Sequence, residues 1–108
     1  MKQYTLDARY LKVTGMIFKG KYGDGSLALQ IHGEEGPEVL SVNLGAYGLV
    51  APEGHIYVRN YSQHEGLVEE LERAGIAERV ASDTDPHRPA NPKFGGHNAS
   101  ATLMRVLV

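Results

Sequence analysis

Alternation with a period of two, cut at short intervals by glycine, governs the first half of this chain. In "QYTLDA" the residues Tyr4, Leu6 and Ala8 alternate with Thr5 and Asp7, the spacing of a strand with one face buried. "LKVTGMIF" continues with Leu11, Val13, Gly15 and Ile17 on one side, and a glycine inside a strand marks a bulge or a close backbone approach. "KGKYGDGS" then holds Gly20, Gly23 and Gly25, a turn with ample freedom at positive φ. "LALQIH" places Leu27, Leu29 and Ile31 inward, and "GEEGPE" turns into "VLSVNL", which carries Leu40, Val42 and Leu44. Short turns between successive strands predict an antiparallel meander. After the connection "GAYGLVAPEG", the segment "HIYVRN" reads as a short strand with Ile56 and Val58 on one face.

The period then changes. In "SQHEGLVEELERAGI" an apolar stripe of Leu67, Val68, Leu71 and Ala74 recurs at helical spacing. Ser62 followed by Glu65 has the form of a capping box. Gly75 stands where a left-handed terminating residue belongs, with Ile76 placed to fold back on Leu71. Beyond it, "IAERVAS" and "ATLMRVLV" read as strands on either side of a long irregular segment. The expectation is an α+β fold: a mainly antiparallel sheet of about five to six strands, with one helix over about 63–74 packed on it. Residues 1–108 are expected to form one compact domain with an irregular loop at about 83–99.

Composition narrows the function classes. Eleven basic against 13 acidic residues, with no lysine or arginine cluster, argue against nucleic acid as a primary partner, because phosphate neutralisation supplies most of that affinity. The chain contains no cysteine, hence no disulfide framework and no thiolate chemistry. No apolar run has membrane-spanning length, and Asp7 and Arg9 interrupt what would be the core of a secretory signal. The cytoplasm is the expected location.

Several stretches together resemble a family. "SLALQIHGEEGPEVLSVNL" is similar to the paired strands of small phage- and plasmid-borne proteins that form a domain-of-unknown-function family. "HIYVRNYSQHEGLVEELERAGIAE" is similar to the strand, acidic helix and glycine-terminated exit that follow in them. The resemblance covers about residues 25–80, and the later loop looks like an extension. It brings no catalytic residues. It implies a mobile-element protein that acts by stoichiometric binding to a host protein, as an inhibitor of a defence complex such as a CRISPR effector or a restriction enzyme, with no cofactor.

Candidate chemistry is sparse. The five histidines, His32, His55, His64, His87 and His97, show neither HxH nor HxxxH spacing. A metal site or hydrolytic centre would need them to converge from distant segments, with Asp24, Asp83 or Asp85 as oxygen ligands. Gly20–Gly25 matches no phosphate-loop spacing and lies between strands, so it reads as a hairpin turn. Within "PHRPANPKFGGHN", Pro86, Pro89 and Pro92 hold the chain extended, and Phe94 is the bulky apolar side chain suited to anchor a partner. The expected partner-binding residues are therefore Glu65, Glu69, Glu70 and Glu72 on the helix, with Arg88, Lys93 and Phe94 in the loop. The alternatives are a small metal-dependent or hydrolytic enzyme using the scattered histidines, or a self-associating domain without catalytic role, pairing through an exposed sheet edge into a homodimer.

Overall fold

The computed structural model describes residues 2–80, 89–94 and 99–108. Strands β1 (Gln3–Asp7), β2 (Lys12–Lys21), β3 (Leu27–Gly33) and β4 (Gly36–Val39) form an antiparallel meander in chain order, with β4 falling mostly within "GEEGPE", the segment read as a turn. A second antiparallel sheet holds β5 (His55–Arg59), β6 (Ala77–Arg79) and β7 (Ala101–Val106) in the order β5–β7–β6. Helix α1 (Leu67–Arg73) lies between β5 and β6 in the chain. The α+β class holds, but a single sheet of five or six strands does not: the strands divide four and three.

The division occurs at Ser41. The segment "VLSVNL" was expected to be a strand throughout, yet regular pairing with β3 stops at Val39. Leu40 still donates its N–H to the Leu29 carbonyl at 2.8 Å. The return bond is taken over by a side chain, with the Leu29 N–H donating to Ser41 Oγ at 3.0 Å. Released from the ladder, the chain crosses to the other sheet, where Val42 makes one isolated bridge to Tyr57 of β5.

Leu6, Leu29 and Ile31 from the first sheet meet Ile56, Val58, Ala77 and Met104 from the second, with Leu67, Val68, Leu71 and Ile76 from the helix region completing the core. A leucine fully buried in this way is worth about 1.5–3 kcal/mol. The second sheet is covered on its other face as well. Tyr57, Ala101 and Leu103 pack there with Leu44, against Val42, Leu49, Ala51, Val80 and Phe94. Tyr57 is therefore as buried as Ile56 and Val58, which the alternation alone would leave outside.

Gly15 marks a close backbone approach. A Cβ there would stand 2.1 Å from the His32 carbonyl oxygen on β3.

The helix is shorter than its apolar stripe. Residues Ser62–His64 form a 3₁₀ turn, and α1 begins only at Leu67, after Gly66 at φ 83°. The capping box is not made: Ser62 has φ 56° and no side-chain cap bond forms. At the other end the expected Schellman ending is present. The Ile76 N–H donates to the Leu71 carbonyl at 3.0 Å and the Gly75 N–H to that of Glu72 at 3.1 Å, with Gly75 at φ 74°.

Candidate contact surface and the polar pocket beside it

The helix glutamates are engaged within the chain. Glu65 pairs with Arg9 at 3.3 Å, and Glu69 and Glu72 both pair with Arg79 of β6, at 3.1 and 3.0 Å. Glu70 pairs with Arg73 at 2.8 Å. Two of these glutamates also cover strand edges. Glu70 Oε1 accepts the Asp7 N–H at 2.7 Å, while the Arg73 guanidinium donates to the Thr5 carbonyl at 2.8 Å. A parallel strand would supply that same acceptor and donor from one residue placed opposite Leu6. The ion pair thus stands in for a neighbouring strand on β1. Glu72 likewise accepts the Arg79 N–H on β6, at 3.4 Å. The first-sheet edge at β4 carries Pro37, which has no N–H to offer. A homodimer through the β1 or the β6 edge would have to displace the side chains that cover it.

The arginine hydrogen bond, followed by the Asp7 N–H, holds the Glu70 carboxyl below its ordinary value. Asp24 is held low too, by the Ser26 hydroxyl and then the Ser26 N–H. That Asx turn belongs to the β2–β3 hairpin, in which Tyr22 N–H donates to the Ser26 carbonyl at 2.8 Å. The hairpin reading of Gly20–Gly25 therefore stands. An open groove of about 790 Å³ runs beside it, with Lys19, Lys21 and Glu53 around apolar walls at Leu27, Val50 and Val106.

Of the loop residues, Arg88 lies outside the described residues. Residues 90–94 run antiparallel to the start of β7: Leu103 N–H donates to the Ala90 carbonyl at 2.7 Å, Ala101 N–H to that of Pro92 at 3.0 Å, and Phe94 N–H to that of Ala99 at 3.0 Å. Pro92 cannot return a bond to β7, so the pairing is a bridge at Lys93 and Ser100 rather than a strand. The Tyr57 hydroxyl ties down the entrance, donating to the Pro89 carbonyl at 3.0 Å. Lys93 is exposed. Phe94 is half-buried against the second cluster, with the ring of Tyr47 tilted across it at 5.4 Å and that of Tyr61 at 6.2 Å. Tyr47 is 55% exposed and nearby in sequence Val50 is 52% exposed. An aromatic face results, with Phe94 as its floor.

The sequence reading missed Tyr47 and Tyr61. "GAYGLVAPEG" looked like a plain connection, although its 3₁₀ turn at Gly45–Tyr47, closed by Gly48 at φ 75°, is what presents the tyrosine. A bulky aromatic between two glycines was the available signal.

The described histidines have separate surroundings. His32 Nε2 meets Gln30 Oε1 at 2.9 Å and its ring stacks on Phe18 at 4.0 Å. His55 Nδ1 meets the Glu53 carbonyl at 2.9 Å. His64 is half-buried beside Arg59, in a concave region of about 320 Å³ that also takes in Tyr22, Ser41 and Asn43. Burial first, and the Arg59 charge second, hold its imidazole below the ordinary value, with Glu38 opposing. Among the described residues no three His, Asp or Glu side chains gather as a metal ion would require. His87, His97, Asp83 and Asp85 lie outside the described residues. No helix among them is long and apolar enough to cross a membrane.

Comparison with family models, with curated proteins and with solved structures finds no match for the chain.

Proposed function

We propose that the protein acts by stoichiometric binding to another protein, through the face built from Tyr47, Tyr61 and Phe94, with Lys93 at its rim. The observation that carries this reading is the exposed Tyr47 ring held over a half-buried Phe94. Aromatic side chains that lose little conformational freedom on burial are the usual energetic centre of a protein interface. The helix glutamates are secondary on this view. Exposed ion pairs are each worth about 0–1 kcal/mol, so Glu65, Glu69 and Glu72 remain able to exchange partners at modest cost, whereas Glu70 is held on the Asp7 N–H and Arg73.

The resemblance of about residues 25–80 to phage- and plasmid-borne proteins supports a host defence complex as the target, a CRISPR effector or a restriction enzyme, blocked sterically and without a cofactor. A DNA-cleavage assay with the purified complex tests this. An equimolar amount of the wild-type protein is expected to suppress cleavage, and Tyr47→Ala with Phe94→Ala is expected to lose at least about tenfold in potency. Cleavage unaffected by excess protein, across both classes of complex, would remove the defence-inhibitor reading.

A further inference from the structure

Four of the five arginines among the described residues have a carboxylate partner: Arg9, Arg73, Arg79 and Arg105 pair with Glu65, Glu70, Glu69 with Glu72, and Glu78. Arg59, at the end of β5, has none among the described residues. It lines the concave region that also takes in His64, Tyr22, Ser41 and Asn43. A guanidinium stays charged and offers five N–H donors in a planar fork.

The facing wall holds a second unused donor. Tyr22 and Ser41 share one hydrogen bond between their hydroxyls, at 2.8 Å. Ser41 Oγ also accepts the Leu29 N–H, which spends a lone pair but no proton. Two hydroxyl protons therefore serve one mutual bond. Whichever oxygen donates in it, the other O–H is left for an acceptor in the pocket.

We propose that this pocket binds a phosphate group, free or as the phosphomonoester of a small molecule, with Arg59 as its charge partner and the Tyr22–Ser41 hydroxyls and His64 as further donors. The donors come from separate elements: the end of β5, the 3₁₀ turn, and the β2–β3 hairpin facing the crossing at Ser41. A tetrahedral oxyanion presents acceptors in all these directions, whereas those of a carboxylate lie in one plane. The charged groups acting on His64 are Arg59 and Glu38. A bound anion beside Arg59 offsets the positive field, so it raises the affinity of His64 for its proton. The site is independent of the aromatic face and of the reading built on it.

The test is an NMR titration of the labelled full chain with inorganic phosphate at constant ionic strength, with chloride and acetate as comparison ions. The expected result is a saturable shift at the His64 ring and the Arg59 side chain, with the His64 pKa moved upward. Acetate is expected to bind more weakly and chloride to leave the signals unmoved. Arg59→Gln, with its fold checked by the dispersion of its amide spectrum, is expected to weaken phosphate binding by at least about tenfold. No saturable shift in the wild type, or an equal response to chloride, would overturn the proposal. So would acetate binding as tightly as phosphate, or an unchanged affinity in a folded Arg59→Gln protein.

Discussion

Glu70 shows how much one carboxylate can do in a small fold. It accepts the Asp7 N–H, orients Arg73 onto the Thr5 carbonyl, and is held below its ordinary pKa by that arginine and that amide. In the folded state the carboxylate binds its proton less readily than in the unfolded chain. Its contribution to stability is thus full above the unfolded value of about 4.5 and is lost as pH falls through the lower, folded value. Denaturant unfolding of the wild type and Glu70→Gln, followed across roughly pH 3–6, is expected to show a difference in stability that shrinks as pH falls. A difference independent of pH would mean that Glu70 contributes by packing and not by charge. At this scale the alternation located Leu6, Leu29 and Ile31 of the first sheet, which join the core from β1 and β3 as it requires. Tyr57 was not legible, because its cover comes from Leu44 and Phe94, far away in the chain.

Helix α1 is the element on which the fold turns. Its apolar stripe packs between the sheets, while Glu70 and Arg73 cover the β1 edge on one side and Glu72 covers that of β6 on the other. Its end was readable from Gly75 and Ile76 because a Schellman ending is a local motif, decided by residues adjacent in sequence. Its start was misread because Ser62 and Glu65 satisfy the pattern of a capping box, while Gly66 at positive φ separates the 3₁₀ turn from the helix and leaves Glu65 to Arg9. Gly75 offers a clean check of the ending. A Cβ there would meet nothing within 4 Å, so the cost of Gly75→Ala is conformational alone. Loss of about 1–2 kcal/mol is expected from the left-handed backbone, read as a lower denaturant midpoint with an unchanged slope. No loss would mean that the Schellman ending is not maintained in solution.

Over the whole molecule, the sequence was read correctly as strands, helix, strands, and wrongly as one sheet. Residues 39–44 were read as one strand, but only Val39 belongs to a strand and Val42 makes an isolated bridge to the other sheet, while the Ser41 hydroxyl takes the Leu29 N–H between them. The same crossing brings the Gly45–Tyr47 turn, read as a connection, alongside residues 89–94, read as part of a contact loop, and Tyr47 and Phe94 meet there. Phe94 stood out in the sequence as the bulky apolar residue of a proline-rich stretch, and the fold packs it half-buried under Tyr47. Tyr47 and Tyr61 were not, since only the fold sets them beside it. The acidic helix was legible as a charged surface, but its arginine partners Arg9 and Arg79 come from elsewhere in the chain. The most direct measurement is affinity capture from host lysate with the wild type, Tyr47→Ala and Glu69→Lys side by side. The expected result is one stoichiometric protein retained by the wild type and by Glu69→Lys, and lost by Tyr47→Ala. Retention unchanged in Tyr47→Ala, or nothing retained by a folded wild type, would contradict a protein-binding role for the aromatic face.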